Sequence, residues 1–314
     1  MDLQNGVLKN KLGITDAEKL AEKETNLSDL SAGDIRAGDG PARTFDRAHL
    51  KALHKQLFGD VYEWAGHMRD ERPTVDGQKL DPYENISKGN DEFARASKIE
   101  SELPKALASI QDIEALRTGT RTEFIERAGD ALAKLNTVHP FREGNGRTQR
   151  LLIEELGRET GQEVDFRGIT QERNIRDSIE ASTSGKPDAM QHLLRDATEP
   201  ERIKELLFVK EQLRDHTDID PEKIYIRTAR DGEAIQGTEI YRNSKSGHVL
   251  SGGSIIVADA RDLPERGSES RALSFKATNN YREPDANLSQ WRAANDGAEG
   301  TGRSPKPKDF DRER

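Results

Sequence analysis

The sequence predicts a mainly α-helical fold followed by a small β-rich unit. Through the first 200 residues apolar side chains recur at helical spacing, and after about residue 220 they alternate at strand spacing. Composition bounds both parts: of 314 residues only 32% are hydrophobic and 34% are charged, so each core is modest and much of the surface is solvated. That length accommodates about two domains, read here as a helical domain over 1–200, a linker helix and β-domain over 201–282, and a polar tail over 283–314.

In chain order, residues 15–24 and 46–58 carry helical patterns. Between 69 and 84 the pattern fails. There Asp76-Gly77, with Pro73 and Pro82 on either side, signals a tight hairpin; the candidate spans Thr74, Val75, Asp76, Gly77, Gln78, Lys79 and Leu80. Thr120-x-x-Glu123 reads as a capping box. It opens a helix whose Phe124, Ala128, Ala131, Leu132 and Leu135 form one buried stripe and which runs directly to His139. A further helical pattern follows Gly146, with Leu151, Leu152, Glu155 and Leu156. A polar helix over about 201–215 ends at Asp218-Ile219-Asp220-Pro221. Strand-like runs follow at 223–227, 238–241, 247–250 and 254–258. From about residue 283 the chain is rich in Gly, Pro and charge, and disorder is expected there.

The twelve residues from His139 to Arg150, HPFREGNGRTQR, concentrate the chemistry. Gly144 and Gly146 bracket Asn145 just before a helix, so this loop can turn its amides toward one point. The helix start behind it favours an anion. Arg147 and Arg150 lie three apart on one face and can reach the same polyphosphate with bidentate, charge-assisted bonds. Glu143 beside phosphates implies an intervening cation, and Mg²⁺ needs only one or two protein carboxylates. His139, at the end of the preceding helix, can accept a proton near neutral pH and is the candidate general base. Phe141 is expected to anchor the loop in the core. The histidines outside this segment, at positions 49, 54, 67, 192, 216 and 248, read as surface or packing residues.

The segment matches H-x-F-x-[DE]-G-N-G-R-x-x-R at every fixed position, a pattern expected by chance in a chain this long with probability on the order of 10⁻⁸. It resembles the signature of Fic domains, the protein adenylyltransferases. The upstream segments 10–14, NKLGI, and 54–66, HKQLFGDVYEWAG, also look like that family's N-terminal part. The resemblance implies a helical Fic fold in which His139 deprotonates a hydroxyl of a target protein. That oxygen attacks the α-phosphorus of Mg·ATP, AMP is transferred and pyrophosphate leaves. By the same resemblance Glu143 holds Mg²⁺; Gly144, Asn145 and Gly146 cradle phosphates; Arg147 and Arg150 neutralise the β- and γ-phosphates; and the 74–80 hairpin is a flap that docks an extended target segment by strand addition.

Many relatives are restrained by a helix bearing [S/T]-x-x-x-E-[G/N], whose glutamate pairs with the second motif arginine, here Arg150. No such sequence occurs in this chain. Thr122-x-x-x-Glu126 comes nearest, but Arg127 follows. The expectation is a constitutively active protein or one held by a small antitoxin-like partner in trans. Targets within the wider family include host small GTPases and bacterial topoisomerases. A helical domain of this kind followed by a small β-barrel resembles type IV secretion effectors of Bartonella, where an OB-fold comes next and a secretion domain follows. That implies a bacterial cytoplasmic protein, or one translocated into a host cell. No secretion domain is recognised, so the chain is expected to be a fragment of a longer effector or a branch without the export signal.

Other classes are disfavoured. A net charge of −9 argues against a chain that mainly coats nucleic acid. No apolar run approaches a membrane span. With zero cysteines there is no disulfide or thiolate site. Two alternatives stand beside AMP transfer: the same fold using another nucleotide, and a non-catalytic scaffold that binds partners through flap and β-domain. Retention of both His139 and Glu143 favours the enzyme.

Overall fold

The computed structural model describes residues 3–4, 6–88, 91–265 and 271–278; the tail expected over 283–314 lies outside these. The chain opens with a short hairpin, β1 (Leu3–Gln4) and β2 (Val7–Leu8), then α1 (Ala17–Ala37) and α2 (Arg47–Phe58). Asp16 and Asp46 start these helices by accepting the Lys19 and His49 N–H groups. Helix α1 continues thirteen residues past the predicted 15–24 pattern and ends at Gly38, φ 112°.

Two hairpins follow, β3 (Thr74–Val75) with β4 (Gln78–Lys79) and β5 (Ser87–Lys88) with β6 (Asp91–Glu92). The remaining helices are α3 (Ile99–Leu107), α4 (Ile113–Thr118), α5 (Arg121–Val138), α6 (Asn145–Thr160), α7 (Gln171–Ser184), α8 (Asp188–Thr198) and α9 (Pro200–His216). Helix α5 is the axis of the core. Its capping box forms in both halves, with Glu123 N–H on Thr120 Oγ1 at 3.1 Å and Thr120 N–H on Glu123 Oε2 at 2.7 Å. All five predicted stripe residues are buried, where α5 packs between α3, α6, α7 and α8.

The β-rich part forms one mixed sheet from β7 (Tyr225–Thr228), β8 (Ala234–Arg242), β9 (Ser246–Ser251), β10 (Ser254–Asp259) and β11 (Ala272–Lys276). The order is β11-β8-β9-β10-β7, with only β10 and β7 parallel. Strand β11 carries no signal that the sequence reading used. Among the described residues β7 and β11 are not paired with each other, so the sheet is open. Successive residues of β10 face opposite sides: Ile255 and Val257 join the helical core, while Ile256 and Ala258 join a second cluster with Ile235, Val249 and Leu273.

A buried ionic cluster ties this sheet to the helices. Asp196 of α8 accepts from Arg173 Nη1 at 2.5 Å, Arg202 Nη1 at 2.9 Å, Thr228 N at 3.0 Å and Thr228 Oγ1 at 2.6 Å. Asp177 accepts from Arg173 Nε at 3.1 Å and from the Tyr225 hydroxyl at 2.6 Å. Burial alone would raise the Asp196 pKa, but the Arg173 and Arg202 charges, with the Thr228 hydroxyl hydrogen bond, hold it well below the carboxylate range. Asp196→Ala would leave Arg173 and Arg202 with one carboxylate each, Asp177 and Glu199, and take the acceptor from the Thr228 N–H; it is expected to cost about 3–5 kcal/mol in urea unfolding. A loss under about 1 kcal/mol, the size of a surface pair, would contradict this account.

Candidate active site

Helix α5 stops at His139, which adopts a left-handed conformation (φ 46°, ψ 62°) and donates its N–H to Leu135 O at 2.9 Å. Such a conformation is unfavourable for a residue with a Cβ, so the surrounding packing must hold it. The Phe93 ring stacks on the imidazole, centroids 3.7 Å apart. After Pro140 the chain is closed by Asn145: its Oδ1 accepts Phe141 N–H at 2.8 Å and its Nδ2 donates to Phe141 O at 2.7 Å. The Asn145 carboxamide is therefore spent inside the loop, and what it can offer a ligand is its backbone.

Phe141 is buried, as expected of an anchor, and stacks on His54 with centroids 3.9 Å apart. His54 Nδ1 accepts Gly66 N–H at 2.9 Å, which assigns the ring proton to Nε2, donated to the Glu143 carbonyl at 3.0 Å. Burial depresses its pKa to about 3, so the ring stays neutral in this role. Gly144 has φ 78°, and a Cβ there would fall 2.3 Å from the Phe58 ring; only glycine fits.

The loop then feeds α6, whose first N–H groups have no acceptor within the helix. They border a cavity of about 440 Å³ lined by Glu143, Gly144, Gly146, Arg147 and Arg150, and on its other walls by Thr25, Thr170, Asn174 and Glu222. A side chain at Gly146 would project toward Arg150 Nη1, 3.4 Å from its Cβ. Arg147 is held from behind: it donates to Ser28 Oγ at 2.9 Å and pairs with Glu24, which also accepts the Tyr62 hydroxyl. Its guanidinium lies over the Phe58 ring at 4.7 Å. Arg150, by contrast, makes no hydrogen bond or ion pair among the described residues, and burial lowers its pKa.

Glu143 sits exposed at the rim, with Oε1 accepting Gly144 N–H at 2.9 Å. No group of three or more His, Cys, Asp or Glu able to hold a metal occurs among the described residues. One carboxylate facing a cavity with two guanidiniums fits Mg²⁺, which takes most of its ligands from phosphate and water. The structure thus brings Glu143, Gly144, Gly146, Arg147 and Arg150 around one cavity, with His139 at the other end of the same loop.

The 74–80 hairpin forms where Asp76-Gly77 placed it. Thr74 pairs with Lys79 and Val75 with Gln78, across a turn with φ 49° at Asp76 and 72° at Gly77. Val75 is buried and Leu80 half-buried, whereas Thr74, Asp76, Gly77, Gln78 and Lys79 are exposed. Lys9 Nζ reaches Asp76 at 2.8 Å, and Glu63 Oε2 accepts the Asp76 N–H at 2.7 Å.

Several residues of the site escaped sequence reasoning. Glu24 and Ser28 stand on one face of α1, four apart and in line with the buried Leu20, Ala32 and Ile35. That periodicity was available as a signal, but a carboxylate in such a stripe looks like solvated charge. Glu222 comes from beyond residue 200 and no local pattern marks it: its Oε2 accepts Gln171 N–H at 2.8 Å and its Oε1 meets Lys210 Nζ at 2.7 Å.

Two variants test this geometry. Gly144→Ala must displace Phe58 and is expected to lose about 1–3 kcal/mol of stability in urea unfolding; unchanged stability would refute the close approach. Folded His54 titrates near 3, below the 6.5 of an ordinary imidazole. The unfolded chain therefore takes up its proton first as pH falls. The His54 contribution to stability is complete above about pH 6.5 and is lost progressively as pH drops toward 3. Burial shifts His49 and His192 in the same direction. Between about pH 7.5 and about pH 5, His54→Gln is expected to lose less stability than the unsubstituted protein, and equal losses would contradict the assignment.

The model of the Fic/DOC family matches residues 44–156, which include the whole loop. Protein adenylyltransferase VbhT of Bartonella schoenbuchensis is 36% identical over 225 residues, covering 70% of this chain and 44% of the relative. A probable protein adenylyltransferase of Sinorhizobium fredii, y4lH, is 35% identical over 180 residues, covering 57% of this chain and 84% of the relative. The type IV secretion system effector protein BepA superposes with a TM-score of 0.76 at 28% identity, over 88% of this chain and 95% of that one. BepC of Bartonella tribocorum, solved with bound AMPPNP, gives 0.59 at 35% identity over 63% and 96%. This chain spans about half the length of the first curated relatives, 44% and 47%. No helix among the described residues is long and apolar enough to cross a membrane. With the loop inside the matched region and most of a 35% identical relative covered, the chain belongs to the Fic/DOC family.

Proposed function

We propose that this protein is a protein adenylyltransferase that moves AMP from Mg·ATP to a Ser, Thr or Tyr hydroxyl of a target protein and releases pyrophosphate. The observation that carries the reading is the single loop between α5 and α6: a histidine stands at one end and, at the other, a glycine-lined cavity with Arg150, unpartnered among the described residues. The names of the curated relatives and the AMPPNP bound to BepC support it.

In this reading the α6 N-terminus and the backbone of Gly144, Asn145 and Gly146 hold phosphate oxygens, and Arg147 and Arg150 neutralise the β- and γ-phosphates. Glu143 would hold Mg²⁺, whose charge, when bound, offsets that of the phosphates. His139 accepts the proton of the target hydroxyl as its oxygen bonds the α-phosphorus. The α–β bridging bond breaks, and its electron pair leaves with pyrophosphate. Catalysis then rests on positioning and charge rather than on a covalent protein intermediate.

The exposed edge of Thr74 to Leu80 would dock the target as an added strand, with host small GTPases and bacterial topoisomerases as candidate targets. Arg150, unpaired among the described residues, would accept a glutamate from an antitoxin-like partner in trans. The open five-stranded sheet fits an OB-like unit, used for protein docking rather than nucleic acid. The likeness to BepA supports an effector that passes from the bacterial cytoplasm into a host.

The test uses α-³²P-ATP in bacterial and eukaryotic lysates, with calorimetry of Mg·AMPPNP alongside. His139→Ala is expected to lose about 10²–10⁴-fold in labelling rate, the usual share of a general base, with nucleotide affinity retained. Arg150→Ala should weaken nucleotide binding as well. Undiminished labelling by His139→Ala would overturn the reading.

A further inference from the structure

Arg69 lies 70 residues from His139 in sequence yet donates Nε–H to its carbonyl at 2.7 Å. The side chain is buried, and among the described residues it has no carboxylate at ion-pair distance. Its donors are instead spread over backbone carbonyls. Nη1 reaches Tyr83 O at 3.1 Å and Glu84 O at 3.3 Å; Nη2 reaches Ala94 O at 2.7 Å and Val138 O at 3.0 Å. The Arg69 backbone joins the same two segments, its N–H donating to Pro140 O and its carbonyl accepting Tyr83 N–H, both at 2.8 Å.

A buried guanidinium without a counter-ion is costly, and burial pulls this one down to about 10, still charged at neutral pH. What offsets that cost is the C-terminus of α5: Val138 O and His139 O are among its last carbonyls, where a cation is favoured. The other three acceptors are Tyr83 O, Glu84 O and Ala94 O. Ala94 follows Phe93, the residue stacked on the His139 ring, and its N–H pairs with Thr137 O at 2.9 Å. One side chain therefore grips the strained backbone of His139 and the segment that supplies its stacking partner.

We propose that Arg69 is the positioning residue for His139, setting its left-handed backbone and, through its hold on Ala94 beside Phe93, the plane of its imidazole. The proposal rests on the reading of His139 as general base. Lysine, a single point donor, cannot span both segments.

The test compares Arg69→Lys and Phe93→Leu with the unsubstituted protein in three readouts: labelling rate, Mg·AMPPNP affinity, and the NMR titration of the His139 ring, with exposed His216 as control. Arg69→Lys is expected to lose about 10²-fold in kcat, the scale of a displacement of about 1 Å. Its nucleotide Kd should stay within about twofold, while the His139 resonances shift and those of His216 do not. Phe93→Leu should move the same resonances and lower kcat with Arg69 intact. A folded Arg69→Lys protein with unchanged kcat and His139 resonances would overturn the proposal, as would a kcat loss matched by lost nucleotide affinity. If Arg69→Lys does not fold, unchanged His139 resonances in Phe93→Leu overturn it. If the unsubstituted protein transfers no label, the proposed function fails, while the resonances still report whether Arg69 and Phe93 set the ring.

Discussion

The two hydrogen bonds between the Asn145 carboxamide and the Phe141 backbone, at 2.8 and 2.7 Å, are the constraint on which the site depends. They close the turn from α5 to α6 and so fix how the end of one helix faces the start of the next. A helix C-terminus is where a residue can leave the helical path, and a helix N-terminus is where backbone N–H groups are left to meet an anion. Joining the two through the six residues 139–144 puts His139 and the cavity at opposite ends of one short loop. The supports beneath it are apolar or neutral: Phe141 on His54, Phe58 under Gly144, and a histidine kept uncharged by burial. None of these competes for phosphate.

The two arginines differ in state. Arg147 is already oriented by Glu24 and Ser28 from α1, whereas Arg150 is desolvated and unpartnered among the described residues. On the proposed function, a polyphosphate entering the cavity would meet one guanidinium prepared by the protein and one whose charge awaits a partner. The cavity wall also draws on the chain beyond residue 200, through Glu222, which accepts the N–H of Gln171 at the start of α7. Because β7 is bound to α8 by the Asp196 cluster, the sheet and the cavity share one framework.

How much of this was legible depended on the range of the interactions. The hairpin at 74–80 and the stripe of α5 were readable because turn chemistry and a capping box act within a few residues. The loop was readable because its glycines, acid and arginines are contiguous. What supports it was not. Glu24, Phe58, Arg69 and Phe93 meet the loop only through tertiary packing, and as isolated residues they resemble surface charge or ordinary core. Asn145 shows a subtler limit: its place in the motif was clear, but whether its side chain faced the ligand or the loop required the geometry. Strand β11 was missed because its burial alternates over only five residues and rests on pairing with β8.

The most direct measurement of the central claim is a crystal structure of this protein with Mg·AMPPNP. The account predicts β- and γ-phosphates on the α6 N-terminus and Arg150, Glu143 on the metal, and the α-phosphorus on the His139 side of the loop. Phosphates bound away from α6, or an α-phosphorus turned away from His139, would contradict it.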